Sequence, residues 1–351
     1  MSINTNFTPT QFTHSDSDLH SLQTYLSSYL GYKEIILLDA QESAFELAFS
    51  LLPSKSTLLC SPTAPVSLFN ALLSSTIQPH YCDLRLDGTM ETRFLRKYLD
   101  AKTKALVLSH NYGQLSHVKD ALTFCKENEL LFIEDATHAF EAREKSGAQL
   151  VVYDFELLLP STLMQGGFIA TDDTELANRL RKRAKGGFEQ KKFWNYDLLN
   201  SQRNRQLSPL LASVILQEMQ NIESHVRAMK NIQAIYLAEL SKSTLLELPS
   251  SPTLTAYPLF PVALVPALFC PKEDIYQTLI EAGISLKVGN KPIYKTTAFL
   301  NTSLSFFGAE EVYKAQFLLP AYPNMSEEEV HRVITVLLTT LATYNYRGCS
   351  F

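Results

Sequence analysis

A chain of 351 residues is too long for one small hydrophobic core, so we expect two domains. The formal net charge of −5 gives no reason to expect a nucleic acid or an anionic membrane as partner. The five cysteines are scattered without a CxxC pair, which predicts reduced thiols and no metal site. No signal-peptide pattern and no run of roughly 18 apolar residues is present, so we expect a cytoplasmic protein.

The first half of the chain alternates between helical and strand patterns. Apolar residues at helical spacing occupy 17–30, and an apolar-rich helix is predicted at 43–52. Short apolar runs predict strands, with helical segments between several of them, at 57–60, 77–84, 105–109, 130–135, 151–155 and 167–171. This alternation predicts an α/β fold with a doubly wound, mostly parallel sheet.

The second half of the chain changes character. A basic stretch at 179–192 predicts a solvated helix face or, alternatively, a loop that meets a phosphate-bearing ligand. One long helix is predicted from 207 to 242, and the Ser-, Thr- and Pro-rich segment 249–258 indicates a domain boundary. We therefore predict a large α/β domain at 1–246, which includes the long linking helix, and a small α+β domain at 247–351.

The predicted small domain has four elements. Strands are expected at 259–268 and 284–288, and helices at 272–282 and 326–344. Gly283 directly follows the first of these helices and fits a C-cap.

The segment 130–139, LLFIEDATHA, is the most informative stretch of the first half. A continuous apolar run that ends in Glu134 and Asp135 predicts a strand buried on both faces, with its carboxyl end at a crevice. Ligands bind at that end in open α/β sheets. Asp135 is therefore either a residue placed to meet a cationic group or simply the N-cap of the helix that follows.

Five short motifs occur in a fixed order. They are HNYGQ at 110–114, EDATHA at 134–139, QGGFIATDD at 165–173, NRQLSPLLASVILQEM at 204–219 and LLPAYPNMSEEEVHRVI at 318–334. Together they resemble the DegT/StrS-type sugar aminotransferases, which use pyridoxal phosphate (PLP) on nucleotide-linked keto-sugars, and the likeness covers about residues 30–340. It implies a fold-type-I PLP-transferase architecture, with a mostly parallel seven-stranded sheet in the large domain and a small α+β domain.

The resemblance also implies roles for individual residues. Asp135 matches the carboxylate that pairs with the protonated pyridine nitrogen of the cofactor, and His138 falls beside its phenolic oxygen. Ser43 belongs to the turn that holds the phosphate. Asn204 matches an asparagine that reaches the phosphate from the partner subunit, which implies a homodimer.

One position departs from the family at the centre of its chemistry. The family holds the cofactor as a Schiff base on a lysine seven residues before the Gly-Gly pair, and that position is Leu159 here. No lysine lies between Lys145 and Lys182. A leucine can neither form an imine nor move a proton. The sequence therefore predicts no confident catalytic residue, and cofactor binding at the matched positions is in question.

The phosphate turn departs from the family as well. The Ser-Gly-Thr turn of the family corresponds to Gln41, Glu42 and Ser43, so an acid replaces the glycine. Asp154 replaces a serine that contacts the phosphate. At about 4 Å, each carboxylate opposes an anion by roughly 1 kcal/mol in water and about 4 kcal/mol at an intermediate dielectric.

Three functions are compatible with these residues. The first is a family member that binds a nucleotide-linked sugar, or a protein partner, without PLP-dependent transaminase activity. The second is an active aminotransferase that uses PLP or its amine form, pyridoxamine phosphate (PMP), on a keto-sugar. The third is another activity in which His138 or His110 forms an acid/base pair with Asp135. We favour the first function and expect the protein to act in surface polysaccharide or glycan biosynthesis.

The same residues predict the character of the cleft. We expect Asp135 and His138 to line a concave pocket, with Glu42 and Asp154 close by. Such a pocket is too acidic for a simple phosphate and predicts a neutral or cationic ligand. If PLP binds at all, it is not expected to be held covalently.

Overall fold

The computed structural model describes residues 16–141, 144–155, 165–186, 188–192, 195–198, 203–249, 255–265 and 272–348. The helices in these ranges are α1 (Asp16–Leu30), α2 (Gln41–Phe49), α3 (Val66–Leu73), α4 (Val118–Glu127), α5 (Thr174–Ala184), α6 (Pro209–Met219), α7 (Ile222–Leu240), α8 (Lys272–Glu281), α9 (Phe307–Ala315) and α10 (Glu327–Gly348). The strands are β1 (Glu34–Leu38), β2 (Thr57–Cys60), β3 (Gln78–Tyr81), β4 (Thr103–Ser109), β5 (Leu131–Asp135), β6 (Leu150–Asp154), β7 (Gly167–Thr171), β8 (Phe188–Lys192), β9 (Asn195–Leu198), β10 (Leu246–Glu247), β11 (Leu259–Leu264), β12 (Lys287–Val288) and β13 (Gln316–Pro320).

Seven strands form the main sheet, in the order β1-β7-β6-β5-β4-β2-β3. Strands β3, β2, β4, β5 and β6 are parallel, whereas β7 is antiparallel to both β6 and β1. Every residue of β2, β6 and β7 is buried, as expected when helices cover both faces of a sheet. The predicted mostly parallel, seven-stranded α/β sheet is confirmed.

Helices pack on both faces of this sheet. On one face, α2, α3 and α5 contribute buried apolar residues such as Phe45, Phe69 and Leu180 to one core. On the other face, α1 and α6 contribute residues such as Leu26 and Ile215 to a second core. This arrangement leaves the carboxyl ends of the parallel strands uncovered by either layer, and the candidate site lies at that edge.

The predicted single helix from 207 to 242 is wrong. The structure forms α6 and α7 instead, with a break at Gln220 and Asn221, where Asn221 leaves helical geometry at φ −98° and ψ 1°. The buried residues before the break join the core on the main sheet, whereas Ile232 and Tyr236 of α7 join a separate core. A single straight helix presents one apolar stripe and cannot bury it in two cores that lie in different directions. Helical periodicity in the sequence does not reveal that two cores exist.

A second, four-stranded antiparallel sheet has the order β10-β11-β13-β12 and packs against α7, α8 and α10. Helix α8 is followed by Gly283 at φ +74°, which agrees with the predicted C-cap. The strand predicted at 284–288 pairs only at Lys287 and Val288. The position of the domain boundary, predicted at 246/247, stays a prediction. Within the described ranges, no helix is both long and apolar enough to cross a membrane.

Candidate functional site

The candidate site lies where β4 and β5 end side by side. Ser109 and Asp135, the last residues of these parallel strands, are paired directly across the sheet. Asp135 is only 2% exposed, and the buried Glu134 precedes it. The strand that the sequence predicts therefore exists, and it places a buried carboxylate at the sheet edge where ligands bind in this fold class.

His110 and Glu134 form a fully buried pair behind that edge. The backbone N–H of Ser116 donates to His110 Nδ1 at 3.1 Å, so the ring proton lies on Nε2. Nε2 in turn donates to Glu134 Oε1 at 2.7 Å, and neither side chain is exposed to solvent. His110 therefore pairs with Glu134 and not with Asp135. This arrangement joins β4 to β5 and does not provide a free acid or base.

Asp135 receives its hydrogen bonds from protein groups. The hydroxyl of Thr137 donates to Asp135 Oδ1 at 2.6 Å, and the backbone N–H of Thr137 donates to the same oxygen at 3.2 Å. The amide Nε2 of Gln41 donates to the Thr137 hydroxyl, and the Ser67 hydroxyl donates to Gln41 Oε1 at 2.5 Å. All donors of this hydrogen-bonded chain from Ser67 to Asp135 point towards the carboxylate.

Burial governs the ionisation of the Asp135 carboxyl. Loss of hydration raises its pKa above the usual value, and the hydrogen bond from Thr137 opposes that change without cancelling it. The hydrogen-bonded chain thus favours the charged form in a place where burial disfavours it. Neighbouring dipoles that align in one direction strengthen one another in a low-dielectric site.

His138 lies in an aromatic stack. Its ring is 5.6 Å from the Tyr112 ring and 4.3 Å from the Tyr257 ring, centroid to centroid. The backbone N–H of Tyr112, in the left-handed region at φ +54°, donates to His138 Nδ1 at 3.1 Å. Burial lowers the pKa of His138 to about 3, with the positive charge of Lys287 acting in the same direction. The imidazole is therefore neutral at physiological pH.

These groups surround a cavity of about 290 Å³. Its lining is mostly uncharged and hydrogen-bonding or aromatic, and it includes Gln41, Ser67, Tyr112, Thr137, His138, Tyr257, Lys287 and Asn290. Asp135 lies behind Thr137 and is not part of the lining. Among described residues, Lys287 is the only lining residue with a charged side chain, so the prediction that Asp135 lines the pocket is wrong. Burial raises the pKa of Tyr257 in the lining, and the charges of Asp154 and Asp135 act in the same direction, so the acidic character predicted for the cleft stays a prediction.

The predicted phosphate turn is the first turn of α2. This turn packs against Gly167, where an added Cβ would lie 3.0 Å from the backbone nitrogen of Gln41 and 2.8 Å from the carbonyl oxygen of Tyr153. The Gly-Gly motif therefore permits a close approach of helix and sheet. Asp154 pairs with Gly167 across the sheet, so the structure brings Asp154 to the start of α2 as expected.

Ser43 carries a contact that the sequence did not predict. Its hydroxyl donates to Asp39 Oδ1 at 2.6 Å and accepts from Arg203 Nη2 at 2.8 Å. Arg203 also lies 3.8 Å from a carboxylate oxygen of Asp39. Ser43, the predicted phosphate ligand, is thus already hydrogen-bonded within the Asp39–Arg203 ion pair of its own chain. Arg203 also places a positive charge beside the first turn of α2.

The roles predicted for Asn204 and Leu159 are not tested by the described residues. Asn204 is exposed, and its side-chain oxygen accepts from the backbone N–H of Gln206 at 3.1 Å, so its role towards a partner subunit stays a prediction. Leu159 lies outside the described residues.

Sequence reasoning missed three residues that shape the cleft. Thr137 lies within the EDATHA motif, two residues after Asp135, a spacing at which a hydroxyl and a carboxylate bond in a turn. Gln41 replaces the serine of the family's phosphate turn. A long amide in place of a small hydroxyl residue indicates that the side chain reaches a more distant partner, which is Thr137. Lys287 carries no local signal, because its position over the cavity depends on the second sheet.

The sheet order, the buried aspartate at the end of a central strand and the smaller antiparallel sheet define the fold-type-I class of PLP-dependent transferases. Within that class, residues 5–338 match the DegT/DnrJ/EryC1/StrS aminotransferase family, and the chain belongs to this family. The family resemblance stated from the motifs is therefore confirmed.

Several named transaminases are similar in sequence. UDP-4-amino-4,6-dideoxy-N-acetyl-beta-L-altrosamine transaminase of Campylobacter jejuni, serotype O:2, is 24% identical over 345 residues, which covers 92% of this chain and 89% of the relative. The Helicobacter pylori protein of the same name is 23% identical, with 91% and 88% covered. A dTDP-4-dehydro-2,3,6-trideoxy-D-glucose 4-aminotransferase of Saccharopolyspora spinosa is 24% identical, with 86% and 83% covered.

Solved structures show the same fold. PseC of Helicobacter pylori, an aminotransferase involved in the biosynthesis of pseudoaminic acid, superposes with a TM-score of 0.87 at 22% identity and covers 93% of this chain and 92% of its own. NtdA of Bacillus subtilis, with bound cofactor PMP, superposes with a TM-score of 0.83 at 22% identity, with 93% and 77% covered.

Proposed function

We propose that this member of the sugar aminotransferase family binds a nucleotide-linked sugar in the cleft but does not form a Schiff base with PLP and does not transaminate. It acts in the cytoplasm, in the synthesis of a surface polysaccharide or another glycan. The relatives named above, which act on UDP- and dTDP-linked sugars, support the ligand class. The side chains of the cleft support the loss of the cofactor reaction.

The hydrogen-bonded chain from Ser67 to Asp135 is the observation that carries this proposal. A bound PLP needs Asp135 free to face its pyridine nitrogen. Here Thr137 donates twice to Asp135 Oδ1, and the buried Gln41 side chain holds Thr137 in that position. Gln41 is itself anchored by Ser67. Thr137 thus occupies Oδ1 of the buried carboxylate, and Gln41, which holds Thr137, begins the helix where the family has its phosphate turn.

The phosphate side of the cleft agrees with this interpretation. The α2 helix starts with Gln41 and Glu42, and its N-cap residue, Ala40, offers no side-chain acceptor. Ser43 is already engaged by Asp39 and Arg203. A phosphate would have to displace these contacts and approach an acid in the first helical turn, both of which cost free energy. The set of residues present does not fit a covalently held cofactor.

One observation favours the alternative, an active PLP- or PMP-dependent aminotransferase that acts on a keto-sugar. Asp135 keeps its place at the end of β5 and is buried, as a partner of a pyridinium ring requires. Non-covalent PMP would need no lysine for binding, although proton transfer would still need a base. The two proposals differ in whether amine is transferred to the sugar.

Amine transfer and sugar binding are tested on the purified protein in one set of assays. We expect UDP-N-acetylglucosamine to bind without added cofactor, as measured by calorimetry. With PLP, glutamate and a UDP-linked 4-keto sugar, we expect no amino sugar above the level of a heat-inactivated control by mass spectrometry. Formation of an amino sugar with turnover, abolished by Asp135→Asn, would establish the alternative and end this proposal.

The proposal includes a two-fold homodimer. Asn204 is exposed, and among described residues its side chain accepts only from the nearby backbone N–H of Gln206, which leaves it accessible to a second subunit. We expect the mass of a dimer by light scattering at micromolar concentration. A monomer under those conditions would contradict this part of the proposal.

A further inference from the structure

Lys287 occupies a distinctive position at the cleft. It lies on β12, where it pairs directly with Leu318 of β13, so both side chains point to the same face of the second sheet. Both residues line the cavity, together with Gln41 and Ser67, which belong to the helices that pack on the main sheet. Lys287 is exposed as well, which places it at the opening of the cavity.

The ammonium group of Lys287 is not engaged elsewhere in the described part of the chain. Other lysines of this half of the protein have close carboxylate partners: Lys295 contacts Glu310 at 2.6 Å, and Lys314 contacts Glu311 at 2.8 Å. The backbone carbonyl of Lys287 accepts from the Tyr276 hydroxyl at 3.0 Å, but its ammonium group forms no hydrogen bond or ion pair with a described residue. An ammonium group that lies at the mouth of a cleft and has no described partner is available to an anionic ligand.

The charge of Lys287 also acts on the interior of the cleft. Its electrostatic effect lowers the pKa of His138, second only to burial. Since no carboxylate lines the cavity among described residues, the charge on the lining is positive. Lys287 thus offers a positive charge at the mouth, whereas the buried Asp135 and Asp154 act with burial to raise the pKa of Tyr257 in the lining.

The remaining lining suits an uncharged, hydroxyl-rich group. Gln41, Ser67 and Thr137 present amide and hydroxyl groups, and Tyr112 and Tyr257 present aromatic rings. The volume of about 290 Å³ is just below the range of small-molecule sites, which span about 300–1,000 Å³. A single sugar ring fits this space better than an entire nucleotide-linked sugar, so the charged remainder of such a ligand would stay at the mouth.

We propose that Lys287 binds the diphosphate of the nucleotide-linked sugar while the sugar ring enters the cavity above Gln41 and Thr137. This inference rests on the proposed function and assigns one residue to the recognition of the ligand. An ammonium group forms charge-assisted hydrogen bonds with phosphate oxygens and needs no fixed geometry to do so. Lys287 thereby selects a diphosphate-linked sugar over the free sugar.

Calorimetry with three probes tests this inference: UDP-N-acetylglucosamine, UDP and uncharged N-acetylglucosamine. We expect Lys287→Ala to weaken binding of the first two about tenfold, the size of one hydrogen bond to a charged group, and to leave any binding of the free sugar unchanged. Lys287→Arg, which keeps the charge, should stay within about threefold of the wild type. Lys291→Ala is the matched control, because this nearby exposed lysine does not line the cavity.

Each outcome has a definite meaning. Wild-type affinity for UDP-N-acetylglucosamine in Lys287→Ala would overturn this inference and leave the proposed function standing. Equal losses in the Lys287 and Lys291 variants would also overturn it, since the effect would then be one of general surface charge. If the wild-type protein binds neither UDP nor any UDP-linked sugar, both this inference and the proposed ligand class are wrong.

Discussion

Wild-type protein mixed with PLP is expected to show no aldimine absorbance band and no borohydride-reducible adduct in the cleft. The position that the family uses for the imine is Leu159, and no lysine lies between Lys145 and Lys182. Lys287 is the one described lysine that lines the cavity, and it is exposed at the mouth rather than placed beside Asp135. The expected result is therefore an absence of the band, measured against free PLP.

A single replacement, Leu159→Lys, is expected to fail as well. The new amine would have to lose its proton before it could form the imine, and the start of α2 would still carry Glu42 and a Gln41 that is hydrogen-bonded to Thr137. The triple variant with Glu42→Gly and Asp154→Ser should bind PLP better than the single one, because two carboxylates that repel the phosphate are removed. Adding Gln41→Ser should improve binding further, since it releases Thr137 and opens the space near Asp135.

Absorbance titration and the mass of the reduced adduct distinguish these variants. Leu158→Lys, in the same triple background, is the control for an amine at the neighbouring position of the chain. Arg203, which donates to Ser43, should be kept in all variants because it supplies positive charge near the phosphate turn. An aldimine band in the wild type, or an adduct on Lys287 or another lysine of the cleft, would refute the loss of the cofactor reaction.

Replacement of His110 by Ala is expected to lower the free energy of unfolding by about 3 to 5 kcal/mol. The change removes the imidazole donor from the fully buried carboxylate of Glu134, and loss of a partner from a buried charge pair is costly. It also removes the acceptor of the Ser116 backbone N–H. Glu134→Gln should cost less, about 1 kcal/mol, because the amide oxygen still accepts from His110 Nε2.

Urea denaturation followed by circular dichroism measures both effects. The matched control is His80→Ala, which removes a histidine that is 42% exposed and lies 4.0 Å from Asp100 at the surface. Surface pairs contribute little, so we expect a change within about 0.5 kcal/mol. If His110→Ala is no more destabilised than His80→Ala, the buried pair is not a major support of the junction between β4 and β5.

Much of the fold follows from the sequence by itself. Apolar runs such as 57–60 and 167–171 match β2 and β7 residue for residue, because strands buried on both faces leave a continuous apolar signal. The family motifs added the seven-stranded sheet, which periodicity alone does not specify. The position of Asp135 at the end of β5 also follows from the local sequence. An acid that directly follows an apolar run lies at the end of the strand, whichever neighbours that strand has in the sheet.

The character of the cleft was decided by the tertiary structure. The sequence predicts that Asp135 lines the cavity, yet Thr137 lies there instead, and Lys287 lines it from a strand of the second sheet. The break between α6 and α7 likewise depends on two cores that only the assembled sheets create. Composition and spacing report which groups are available, whereas the direction of each side chain is set by packing between distant elements. For that reason the sequence determined the family, the sheet and Asp135. Only the fold decided that Thr137, held by Gln41, would donate to that carboxylate and that Lys287 would lie at the mouth of the cavity.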